Sequence, residues 1–295
     1  MSNALRALIL ALALTACASP GPPASPPVGL KIATWNLEHL AEDGATGCKP
    51  RTDADYTTLK AYADRLDADV IAFEEVQSAK AAARVFDPAK YTIVIEARLG
   101  DGSRLECRGL PGRYLNRQAV GFAIRKGLAF TRHTDLTDLQ LGDPNLRSGV
   151  DILVRPKRGA PIRMLAVHLK SGCASGASGQ ACPSLLAQAP VLERWIDARA
   201  SEGARFAVLG DFNRRLAQGG DAVWADLDDG QPAFADLTLA AGSQGPRCDP
   251  RFKDFIDHIV LDRRAAGDLE VFEELIYDDG GERPSDHCPI AARLR

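Results

Sequence analysis

The feature that most constrains the fold is a succession of short apolar or alternating runs, each closed by turn or charged residues and too short to be a free-standing helix. They read LKIATWNL (30–37), DVIAFEEV (69–76), YTIVIEA (91–97), AVGFAI (119–124), VDILVR (150–155), IRMLAVHL (162–169), RFAVLGD (205–211), FIDHIVLD (255–262), LEVFEELIY (269–277) and CPIAARL (288–294). Helical periodicity is confined to YTTLKAYADRLDA (56–68) and LLAQAPVLERWIDARASE (185–202). A chain of 295 residues with 45% hydrophobic content can fill one large core. No internal repeat and no second linker divide it. The pattern predicts one α/β domain over residues 30–295, built mainly on strands.

The preceding segment is different in kind. Residues 1–16, MSNALRALILALALTA, carry one arginine and then an apolar run too short to span a bilayer, which is the build of a secretory signal peptide. LTAC (14–17) resembles the lipobox of bacterial lipoproteins, with Cys17 as the acylated residue; the alternative is ordinary cleavage after Ala16 or Ala18. Residues 17–29 then form a lipobox cysteine and a proline-rich tether that cannot pack a core. The expected location is the periplasm or the outer membrane, or the medium if Cys17 is not lipidated. Any membrane contact runs through that anchor.

Setting Cys17 aside, six cysteines remain in a chain expected to meet oxidising conditions. Cys173 and Cys182 flank a short loop and are the easiest closure. The other four allow three pairings, which the sequence leaves open, and Cys48 with Cys107 and Cys248 with Cys288 is the set expected here. No CxxC pair supports a zinc site.

Polar residues recur where apolar strands stop. Asn36 and Glu38 follow IATW, Glu74 and Glu75 follow VIAF, His168 follows MLAV, Asp211 and Asn213 follow AVLG, and Asp286 with His287 precedes PIA. If these strand ends gather at one rim, the groups meet in one cleft, where α/β folds tend to bind ligands. Glu75, Asp211 and Asp286, with the amides of Asn36 and Asn213, are oxygen donors suited to a hard cation such as magnesium. A histidine fixed by a carboxylate can exchange a proton with water near neutral pH, and Asp257 is the natural partner of His287. His39, His133 and His258 are read as structural.

In order along the chain, TWNLE (34–38), DVIAFEEV (69–76), VHLKSG (167–172), GDFN (210–213), IDHI (256–259) and SDHCPI (285–290) resemble the endonuclease/exonuclease/phosphatase superfamily. The resemblance implies a four-layer α/β sandwich of the deoxyribonuclease I-like type and a metal-dependent hydrolase of phosphate esters. It implies Mg2+, with Mn2+ or Ca2+ as substitutes, held by Asn36, Glu75 and Asp286. Asp211 and Asn213 would hold the scissile phosphate or the attacking water, and His168 would donate to a phosphate oxygen. His287, oriented by Asp257, would serve as general base or electrostatic partner. Relatives usually read Gln-Glu where this chain has Glu74-Glu75, so either glutamate can take the metal; position favours Glu75. YTIVIEARLG resembles the stretch whose glutamate pairs with the first catalytic histidine, which assigns Glu96 to His168.

The formal net charge of −3 gives no global attraction to polyanions. Arginines do cluster between residues 98 and 117, and Arg113 and Arg117 are the expected contacts to a nucleic-acid backbone. The first function expected is therefore an exported endonuclease acting on DNA as a monomer. The alternatives are a phosphomonoesterase or lipid phosphodiesterase of the sphingomyelinase or inositol phosphatase type, and a non-catalytic binding lipoprotein.

Overall fold

All ten apolar runs become strands. The computed structural model describes residues 29–98, 105–232, 235–278, 280–281 and 283–295; the expected signal peptide, Cys17, residues 18–28 of the tether and Arg104 lie outside the described residues. In chain order the elements are β1 (Leu30–Leu40), α1 (Asp53–Leu66), β2 (Val70–Val76), α2 (Ala79–Val85), β3 (Tyr91–Ile95), β4 (Ala119–Arg125), β5 (Ala129–Arg132), β6 (Val150–Arg155), β7 (Ile162–His168), α3 (Cys182–Ser201), β8 (Phe206–Asp211), α4 (Ala222–Leu227), β9 (Leu237–Leu239), β10 (Asp257–Asp262), α5 (Arg263–Gly267), β11 (Leu269–Glu274) and β12 (Ile290–Leu294). The pieces that sequence periodicity passes over, α2, α4, α5, β5 and β9, are at most seven residues long, too short to display a period. Among the described residues, no helix is long and apolar enough to cross a membrane.

The strands form two six-stranded sheets, ordered β11-β12-β1-β2-β4-β3 and β5-β6-β7-β8-β10-β9. Their inner faces meet: Ile32, Val70, Ala72 and Phe122 of the first sheet share one core with Ile152, Met164, Ala166, Leu209 and Ile259 of the second. The outer face of the first sheet buries Trp35, Ile71 and Phe73 against α1 and α2. The outer face of the second buries Leu165 and Val208 against α3 and α4. The result is the expected helix–sheet–sheet–helix sandwich. Helix α1 begins where its sequence says it should: Thr52 and Asp55 form a reciprocal capping box, and Asp67 closes the helix in the left-handed region.

Side chains alternate along a strand, so one parity faces the inner core and the other faces a helix. Following the inner parity to the strand ends gives Asn36 after Ile32 and Thr34, Glu74 after Val70 and Ala72, His168 after Met164 and Ala166, and Asp211 after Ala207 and Leu209. Strand β10 starts with Asp257 on the same parity as Ile259. Register brings these together: Asn36 lies opposite Glu74, His168 opposite Asp211, and Asp257 opposite Asp211. The polar rim is thus the end cap of the inter-sheet core.

Three disulfides, Cys48–Cys107, Cys173–Cys182 and Cys248–Cys288, are the pairs expected from the sequence. Each ties a loop near the rim. The first joins the loop after β1 to the segment before β4, and the third fastens the segment before β10 to the residue after His287.

Candidate active site

The rim carries a continuous row of titratable groups. His39 Nδ1 stands 3.3 Å from Glu75 Oε2, and Glu75 Oε1 is 3.8 Å from His168 Nε2. His168 Nε2 is 3.6 Å from Asp211 Oδ2, which is 3.9 Å from His287 Nε2. His287 Nδ1 closes the row on Asp257 Oδ2 at 2.7 Å. The convergence expected of Glu75, Asp211 and His287 is therefore present.

Local sequence explains each placement. Glu75 has φ of 59°, in the left-handed region, and the pairing register shifts between Phe73 and Val76. That irregularity breaks the strand's alternation, so both glutamates reach the rim side. Glu74 is fully buried and accepts from Thr34 Oγ1 at 2.8 Å, whereas Glu75 accepts the His39 amide at 3.1 Å and faces His168. Glu75 is the one turned to the cleft. Gly210, at φ of 150°, is required by contact as well as conformation: a Cβ there would lie 1.9 Å from the Val167 carbonyl oxygen. Only glycine lets β8 approach β7 closely enough to place Asp211 beside His168. In the C-terminal motif, Ser285 Oγ donates to the Asn36 carbonyl at 2.7 Å and accepts from the His287 amide at 3.2 Å. Tyr277, itself receiving Trp35 Nε1, donates to the His287 carbonyl at 2.5 Å. The backbone of His287 is clamped from both sides.

The two histidines differ in charge. Burial works against the His287 imidazolium, but Asp257, then Asp211 and Asp286, outweigh it and hold the pKa well above the usual value. His168 is pushed well below its usual value by burial and by the nearby Arg147 charge, so it is neutral. Burial and the facing Asp257 push Asp211 up to about 7. Glu74 is driven well above the carboxylate range by burial and by Asp257.

These shifts test whether a cation fits. Glu75, Asp211, Asp257 and Asp286 gather at one cleft with Glu74 buried beneath it; burial and then the Asp257 charge hold Glu74 and Asp211 towards protonation, and Asp257 Oδ1 is buried without a hydrogen-bond partner. Glu75 with the exposed Asp286 supplies oxygen donors of the kind a hard divalent ion takes. Asp211, Asp257 and His287 also offer donor atoms within 4.8 Å of one another. In that trio the short His287–Asp257 bond already engages Nδ1, so it reads as a histidine–carboxylate pair rather than a ligand set.

Several expectations need correction. Asn36 Oδ1 accepts from the Glu38 amide and Nδ2 donates to Asp211 Oδ2 at 3.1 Å, so the side chain positions Asp211 and retains one oxygen lone pair for a cation. Glu96 does not reach His168: it accepts from Ser148 and Arg98, and His168 Nδ1 is buried with no partner. Arg113 is spent on the carbonyls of Gly47 and Thr46, and Arg117 on the carbonyl of Glu96. Both guanidiniums donate to backbone carbonyls, and Arg117 Nε is buried without a partner. Asn213 donates its amide to Asp211 Oδ1 at 2.7 Å and Nδ2 to the Leu169 carbonyl, as a brace for Asp211.

The structure adds residues that sequence reasoning missed. Arg147 is buried at the rim with its Nε unpartnered, in the field of Glu75 and Asp211. His39, taken as structural, sits on Glu75 and is held by Gln118 at 3.1 Å. Arg147 and Gln118 precede β6 and β4, which run antiparallel to β7 and β2. Antiparallel strands bring their starts to the rim where parallel ones bring their ends; looking before strands would have found both.

A family model described as Endonuclease/Exonuclease/phosphatase family matches residues 33–287. The chain belongs to that family. Solved structures agree with the fold of an endonuclease/exonuclease/phosphatase protein. Truncated TDP2 of Caenorhabditis elegans is 15% identical with a TM-score of 0.60, covering 90% of this chain and 98% of that one. The 3′ phosphatase NExo from Neisseria, bound to a product DNA hairpin, is 15% identical with a TM-score of 0.56 over 90% and 99%. The human nocturnin catalytic domain, with bound sulfate, is 14% identical with a TM-score of 0.59 over 90% and 94%. No curated protein sequence matches the chain significantly. Membership makes this chain one of a family of metal-dependent phosphoester hydrolases.

Proposed function

We propose that the protein is an exported, divalent-metal-dependent phosphodiesterase that cuts DNA internally. The observation that carries the reading is the row from His39 to Asp257, in which a neutral histidine, a cationic histidine and a carboxylate near neutrality face one cleft. An exposed ring, Phe252, lines the cavity that Asp257 and His287 share. Exposed aromatic rings stack on bases without sequence preference.

In this reading Asp211, braced by Asn36 and Asn213, orients the attacking water and accepts its proton; a carboxyl group titrating near neutrality is matched to that task. Neutral His168 presents Nε2 towards a phosphoryl oxygen, and the His287 imidazolium, anchored by Asp257, faces charge developing on the phosphate. Glu75 and Asp286 would hold Mg2+, with Mn2+ or Ca2+ as substitutes, which when bound neutralises phosphoryl and leaving-group charge. Attack in line breaks the bond between phosphorus and the leaving oxygen, which takes up a proton. A cavity of about 320 Å³ beside His287, lined by Phe252, Phe255 and Ile256, favours a second reading, a phosphoester carrying a compact apolar group.

Supercoiled plasmid assayed with magnesium and with chelator tests the first reading. Conversion to nicked circles only with the ion is expected. Intact plasmid alongside turnover of phosphomonoesters or sphingomyelin would replace it with the second.

A further inference from the structure

A group of cations lies at the end of the sandwich opposite the catalytic rim. There a cavity of about 400 Å³ is bounded by Gly29, Arg125, Lys126, Lys157 and Arg158. Lys126 follows β4 where that strand lies beside the start of β2, and Lys157 and Arg158 occupy the turn from β6 into β7. Glu75 and His168 sit at the far ends of β2 and β7. The two poles are therefore separated by the length of the strands.

Arg125 is taken by Asp67 and Asp69 at 2.7 and 2.9 Å. Lys126, Lys157 and Arg158 are exposed, and their side chains make no ion pair or hydrogen bond among the described residues. Arg293, alongside Gly29, extends the same patch. The chain also enters the fold here, since Gly29 lines the cavity and β1 begins at Leu30. This inference rests on the export reading above and on the lipobox resemblance of residues 14–17; with lipid on Cys17, only residues 18–28 separate the anchor from the fold. A stretch of that length spans at most on the order of 40 Å when extended, and proline stiffens it.

We infer that this basic pole docks on a phospholipid surface bearing anionic head groups, so that tether and pole together turn the catalytic rim away from the membrane. Attraction between a cation and such a surface fades within roughly 8–10 Å. A reach of that size limits how far the domain can leave the surface, and a modest attraction then suffices to orient a domain already held there.

The test uses the purified chain without signal or lipid, sedimented with vesicles of equal parts phosphatidylglycerol and phosphatidylcholine or of phosphatidylcholine alone. Binding to the anionic vesicles, weakened by salt, is expected. Each of Lys126→Gln, Lys157→Gln and Arg158→Gln should weaken it about five-fold, and the triple variant should fall on the order of a hundred-fold while hydrolysing its substrate at the parental rate. Equal binding to both vesicle types, or a triple variant that binds like the parent, overturns the docking. So does a triple variant that loses duplex DNA affinity with vesicle binding unchanged, which would make the pole a nucleic-acid surface. A parent chain that binds anionic vesicles but hydrolyses no phosphoester supports the docking and counts against the catalytic reading alone.

Discussion

The two ends of the inter-sheet core are built from the same strands and treat buried charge in opposite ways. At the pole opposite the rim, Asp262 accepts from the amides of Phe206, Arg264 and Ala265, and Asp69 accepts from the Lys31 amide and from Arg125. Both oxygens of these two carboxylates have donors, and the unpartnered buried atom at that end, among the described residues, is a cation's, Arg205 Nε, whose guanidinium is paired with Asp268. At the rim, Glu74 Oε2, Asp257 Oδ1, His168 Nδ1 and Arg147 Nε are buried without partners. An unmade hydrogen bond in the interior costs about 1–3 kcal/mol, so the rim holds its groups ready for something outside the chain while the other end serves stability.

That contrast can be broken deliberately. The largest effect is expected at the rim: His287→Ala or Asp211→Ala should slow hydrolysis about a hundred- to a thousand-fold with the melting temperature held or raised, and near-parental rates in a folded variant would remove the mechanism. Next comes the satisfied end, where Asp262→Ala strands the Phe206 amide and uncaps α5. A loss of about 2–3 kcal/mol in denaturant unfolding, with kcat unchanged, is expected.

Glu74 sharpens the comparison through pH. Its pKa in the fold lies well above the ordinary 4.5, so its contribution is intact below that value and is lost as pH climbs through the folded pKa. Glu74→Gln should therefore raise the melting temperature more in mild alkali than in acid; an equal gain at both would assign the effect to packing. The smallest effect belongs to the surface of α3, where burial and Asp197 push Glu193 up to about 8. By the same sign, its contribution is present in acid and lost by pH 8 and above. Glu193→Gln should add on the order of 2 °C in alkali and nothing near pH 5, and calorimetry at the two pH values decides it.

Much of the rim was legible because strand parity is written in residue order. Asn36, His168 and Asp211 could be named from where apolar alternation stops and Asp257 as the partner of His287, while the number and brevity of the runs gave a strand-rich α/β domain and the family resemblance gave the sandwich. What could not be read was who pairs with whom. Glu96 finds Arg98 two residues on and Ser148 across the chain, while Arg113 and Arg117 cap carbonyls that no charge pattern announces. A lone guanidinium in a loop spells the same whether it meets a phosphate or a backbone oxygen. Arg147 and Gln118 were hidden because the direction of β6 and β4 is a property of pairing, not of spelling.

Inner-face alternation also decides how this protein can be edited. Substituting a rim residue changes one functional group, but inserting a single residue between Ala207 and Leu209 would rotate Asp211 into the layer beneath α3 and leave its chemical identity untouched. A scan of one-codon insertions should therefore find β7, β8 and β10 far less forgiving than the loops joining them, even where replacement at the same sites is harmless.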